Sequence, residues 1–134
     1  MSHWVHFSRL KAGLSPHVER LVKELAGRLP SGLDYSYASL DAVSAYVEAI
    51  GVDTAMVDLY DHLVAYVGEI IRRRTQGEWK LRHDGADVYP YIRAPRHAII
   101  MPINVVWGEF CSIEPVAFRT AAANEVRSAR ARFM

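Results

Sequence analysis

The sequence predicts an α+β fold: a helix-rich single domain with a small antiparallel sheet of two or three strands and a C-terminal helix. Three observations predict it. Apolar residues recur at helical spacing in three runs before Gly77. The period then changes from 3.6 to 2, and an alanine- and arginine-rich helical run follows Glu114-Pro115.

Residues 1–14 contain Trp4, Val5, Phe7 and Leu10 and read as either an N-terminal arm or a short helix. Ser15-Pro16 supplies a cap and a proline at the first helical position. Val18, Leu21, Val22, Leu25 and Leu29 then form an apolar stripe about four turns long, ended by Pro30-Ser31-Gly32. A second start signal falls at Ser39, and Leu40, Val43, Tyr46, Val47 and Ile50 form a shorter stripe that stops at Gly51.

The chain is organised around the stretch from Asp53 to Trp79. With Asp53 as cap, Met56, Leu59, Tyr60, Leu63, Val67, Ile70 and Ile71 share one arc of a single long helix. Arg72, Arg73 and Arg74 occupy its last turn, where cations favour the helix dipole, and Gly77 reads as a left-handed stop. Gly68 lowers helix propensity by about 1 kcal/mol relative to Ala, which close approach by another backbone would explain. Glu69 lies on the flank of the arc with Arg73 at i,i+4. It reads first as half of a surface ion pair contributing at most about 0.5 kcal/mol, with a buried or partner-facing carboxylate as the alternative.

Beyond Gly77, Trp79 and Leu81 alternate with Lys80 and Arg82, and Asp84-Gly85 marks a tight turn. Val88 to Ile92 makes a second strand whose Pro90 argues for an edge position, and Ala98 to Met101 makes a third. The segment from Pro102 to Ser112 fits either a short helix or extended chain.

The 134 residues correspond to one domain spanning 1–134, and 51% hydrophobic with 23% charged residues is an ordinary globular composition. A formal charge of +1 provides no net field for nucleic acid or an anionic membrane, and neither is expected as a partner. Cys111 is the single cysteine and reads as an inert core thiol in a cytoplasmic protein; no secretory leader or membrane-spanning run is evident.

The six histidines show no metal-ligand spacing, and the common hydrolase, nucleotide and dinucleotide signatures are absent, so neither a metal nor a cofactor is expected. No catalytic residue is assigned. The aromatics Trp79, Tyr89, Tyr91 and Trp107 read mainly as core, with a recognition surface as the alternative. The loop Arg93-Ala94-Pro95-Arg96-His97 places two arginines and a histidine about a proline, as an anion or acidic-partner contact requires; a solvated turn is its plain alternative. The binding candidates are therefore Gly68, Glu69, Arg73, Trp79, Arg93, Arg96 and His97.

The run Ala65-Tyr66-Val67-Gly68-Glu69, followed by Ile70-Ile71-Arg72-Arg73 and then by Gly77-Glu78-Trp79, resembles a motif in small uncharacterised bacterial proteins. There a helix of the form aYxGExxrr is followed by GxW and a strand, a proline-containing segment and a C-terminal helix. The likeness covers roughly residues 40 to 120 and brings no catalytic residues. Some of those proteins are encoded like immunity or accessory proteins of toxin systems. The resemblance thus implies a non-enzymatic cytoplasmic protein that binds a protein partner such as a toxin domain. A second copy of the chain remains open as a partner. The alternative is a small enzyme using Glu69 and a histidine as acid and base beside the central helix.

Overall fold

The computed structural model describes residues 15–30 and 32–131. The expectation for residues 1–14 falls outside the described residues. Among the described residues four helices precede the sheet: α1 (Ser15–Ala26), α2 (Tyr37–Ile50), α3 (Val52–Asp58) and α4 (Tyr60–Thr75). The sheet comprises β1 (Glu78–Asp84), β2 (Asp87–Ala94) and β3 (Ala98–Ile100), and α5 (Pro102–Phe110) and α6 (Phe118–Ala131) complete the fold. It is the α+β architecture that the change of period predicts, and Pro102 to Phe110 is helical with its proline in the first turn.

The predicted single helix from Asp53 is in fact two. Leu59 takes φ −125° and ψ 4° between α3 and α4, and Gly51 rather than Asp53 caps α3. Hydrogen bonds from Leu59 N to Ala55 O and from Leu63 N to Leu59 O carry the chain through, so the interruption is a bend that leaves Leu59 fully buried. Two other boundaries also move. Ser36 caps α2, its hydroxyl accepting from Ser39 N at 3.1 Å, and α1 ends at Ala26, three residues short of Leu29.

Helix α4 is the centre of the core. Every residue from Leu63 to Ile71 is buried, because α1, α5, α6 and β2 pack around it. An amphipathic reading of this run therefore underestimates its burial: apolar residues on every side mark a helix enclosed by protein. The inward-facing sheet residues Trp79, Ile92, Ala94, Ala98 and Ile100 close the same core.

The strands are antiparallel in the order β1-β2-β3, with Asp84 paired to Asp87 across a two-residue loop. Gly85 takes φ +62° at the first loop position, the conformation for which glycine is favoured in tight hairpins. Pro90 lies in the central strand rather than at an edge. The tolerance has a local reason: β3 pairs only with Ile92–Ala94, so Pro90 has a strand on its β1 side alone.

The start of α6 is held by tertiary contacts. Ser44 Oγ accepts from Phe118 N at 3.1 Å, and Glu48 Oε1 accepts from Val116 N at 2.7 Å. Ser44→Ala leaves a buried N–H without its partner and is expected to cost about 1–3 kcal/mol in a urea melt. A loss below 0.5 kcal/mol, a margin of about the ordinary surface-substitution scatter, would remove Ser44 as the anchor of α6.

Candidate functional site

The seven candidate residues fall into two neighbouring groups joined by Gln76–Glu78. Gly68, Glu69, Arg73 and Trp79 form a clasp between α4 and β1. Arg93, Arg96 and His97 lie in and beside the β2–β3 loop.

Within the clasp, Glu69 is buried and each of its oxygens accepts two hydrogen bonds. Oε1 accepts from Arg72 Nε at 2.8 Å and Trp79 Nε1 at 2.9 Å; Oε2 accepts from Arg72 Nη2 at 2.8 Å and Arg73 Nε at 2.9 Å. The surface ion pair expected from spacing is thus a buried carboxylate inside a cage of donors. Burial alone would push its pKa upward, but the Arg72, Arg73 and Trp79 bonds outweigh that cost and hold the group below the usual glutamate range. Such a carboxylate is ionised and fully engaged, and no described histidine is among its partners. It is poorly placed to take a proton from a substrate.

Gly68 explains how Trp79 reaches it. A Cβ at this position would overlap Trp79 Cη2 and lie 2.8 Å from Cζ2 and 3.0 Å from Pro102 Cγ. The close approach that a glycine in mid-helix requires is therefore made by an indole side chain rather than by another backbone. Gly77 has a related role, not that of the left-handed stop. Gln76 takes the left-handed conformation at φ 57°, whereas a Cβ on Gly77 would lie 2.5 Å from Ile92 Cγ2.

The clasp extends to the loop before α2. The Arg73 guanidinium lies 3.6 Å from the centre of the Tyr35 ring, and Tyr35 N donates to the Tyr66 hydroxyl at 2.9 Å. Ser39 Oγ donates to Ser36 O, so its 2.6 Å contact with Tyr66 has the phenol as donor. Tyr66, Gly68, Glu69, Arg72, Arg73, Gly77 and Trp79, the residues that carry the motif, are all accounted for by this one structural network.

The second group is exposed. Arg93 is the penultimate residue of β2, and Pro95–His97 forms a 3-10 turn into β3 in which Arg96 at φ 62° and His97 at φ 65° are both left-handed. Arg93 Nη2 approaches His97 Nδ1 at 3.5 Å, and these side chains line a cavity of about 300 Å³ with Gln76 and Glu78. Glu78 has Lys80 Nζ at 3.3 Å. Arg74 and Arg130 border the same end of the molecule, a convergence that α6 makes in space and that no sequence spacing signals. Arg72, the bidentate partner of Glu69, was also missed, although its i,i+3 spacing is a readable signal.

Other expectations are corrected. Cys111 is exposed, because the turn after α5 lifts it out of the core. Of the four aromatics only Trp79 is core; Tyr89 and Tyr91 are half-buried on the outer face of the sheet, and Trp107 is exposed against Tyr60. Among the described residues no cluster of metal-ligating side chains occurs, and no helix is long and apolar enough to cross a membrane. No family model matches the sequence, nor does any curated protein or solved structure.

Proposed function

We propose that this protein is a non-enzymatic binding protein of the cytoplasm, and that its contact surface is the basic end bearing Arg93, Arg96 and His97. The partner is an acidic face of another protein. A toxin domain is the partner implied by the motif resemblance, which would make this chain an immunity-type inhibitor.

The observation that carries the reading is the backbone of the β2–β3 loop. Two consecutive non-glycine residues hold left-handed conformations at an exposed tip, each at a cost of about 1–2 kcal/mol. Strain of this kind collects where a side chain must be presented in a fixed direction. Here it presents Arg96 and His97 beside Arg93. By contrast, the full engagement of Glu69 weighs against the acid–base alternative.

The test is calorimetric titration with the product of the neighbouring gene. Replacing Arg93 and Arg96 together by alanine is expected to weaken the complex by about tenfold to a hundredfold and to reduce the salt dependence of association. Unchanged affinity removes the loop from the interface. Absence of any complex at micromolar concentration counts against the binding reading itself.

A further inference from the structure

The cavity at the β2–β3 loop adjoins a second one, of about 320 Å³, with which it shares Gln76, Pro95 and Arg96. Three arginines line this second cavity, each from a different element: Arg74 from α4, Arg96 from the loop and Arg130 from α6. We propose that this cleft binds a phosphate-type oxyanion, free or carried on a side chain of the partner. The inference rests on the reading of this end of the molecule as the binding face.

Two of the three arginines are positioned by the fold before any ligand arrives. The Arg74 guanidinium stacks 3.8 Å from the centre of the Tyr37 ring, and Arg130 Nη2 donates to the Arg74 carbonyl at 2.9 Å. The loop backbone directs the third. The C-terminus of α4 would ordinarily set a negative potential here. Two of its last four carbonyls are taken up, however: Arg72 O accepts from the Gln76 and Gly77 amides, and Arg74 O from Arg130. Three cationic side chains border the cleft beside what remains of that partial charge. Among the described residues no carboxylate lines this cavity, and Glu78 lines only the adjoining one.

Ligand shape follows from the donors. A planar carboxylate is best served by one guanidinium fork, whereas a tetrahedral oxyanion accepts from several directions and carries up to two charges. Three arginines arriving from separate elements suit the second geometry.

The experiment titrates the full chain with inorganic phosphate, with a phosphoserine peptide and with its unphosphorylated glutamate counterpart, against sodium chloride at equal ionic strength. Calorimetry and the melting temperature are read together. Arg96→Gly removes a guanidinium while keeping a residue at ease with φ 62°, and Arg130→Ala removes another from an exposed site. The expected result is saturable binding of phosphate or its peptide with a rise in melting temperature, weakened by about tenfold or more in each variant, as the loss of one charge-assisted contact gives. Shifts no larger than chloride produces, equal binding of the glutamate peptide, or wild-type affinity in both variants would each overturn the proposal. If phosphate and phosphopeptide fail while a protein partner still binds through Arg93, the oxyanion cleft falls and the binding face stands.

Discussion

Gly68→Ala is expected to destabilise the protein by about 2–4 kcal/mol, although the same substitution in an exposed helix would stabilise it by about 1 kcal/mol. The sign is decided by the Trp79 indole, which occupies the space that a Cβ would need, with Pro102 closing the other side. Overpacking of this kind costs about 1–3 kcal/mol, and displacing the ring also breaks the bond from Nε1 to a charged acceptor, worth about 1.5–3 kcal/mol. A urea melt reads the loss directly, and the melting temperature should fall by about 10 °C. A cycle with Trp79→Phe isolates the cause, since phenylalanine lacks the outer ring atoms that meet the new methyl. In that background Gly68→Ala should be close to neutral. If it destabilises both backgrounds equally, or stabilises the wild type, indole packing is not the reason for the glycine.

This pair also shows how far the sequence could be read. The helices, the switch to strands after Gly77 and the Asp84-Gly85 turn all follow from local periodicity and local turn chemistry, and the structure has them. Gly68 and Glu69 were visible as residues that helix formation leaves unexplained. Their explanation was not visible, because it depends on Trp79 folding back over the helix, a contact set by tertiary packing. The reading of Glu69 as exposed failed for the same reason: a helical wheel ranks faces by hydrophobicity, and α4 has neighbours on every side. Arg130 is the extreme case. Its place beside Arg74 arises only because α4 and α6 finish at the same end of the fold.

Glu69→Gln is expected to cost about 2–3 kcal/mol at neutral pH. Removing one partner of a buried ion pair costs about 3–5 kcal/mol, and a lower figure applies here because Arg72 and Arg73 retain 30% and 46% side-chain exposure, so solvent screens them once the carboxylate is gone. An amide also presents an NH2 group to donors that need an acceptor. The pH dependence identifies the carboxylate as the cause. Folding lowers the Glu69 pKa, so the unfolded chain binds this proton more readily than the folded one. The stabilisation is complete above the unfolded value of about 4.3 and is lost as pH falls through the lower folded value. Wild type and variant should therefore differ most above about pH 5 and converge under acid conditions, where both carry a neutral side chain. Measuring urea stability of both proteins across this range and taking the difference removes the contributions of Glu24 and Asp34, whose pKa values are also lowered by hydrogen bonds. A gap that stays constant with pH would mean that shape rather than charge is what Glu69 contributes. A loss of partner binding with no loss of stability would return Glu69 to the contact surface, where the geometry of its four donors does not put it.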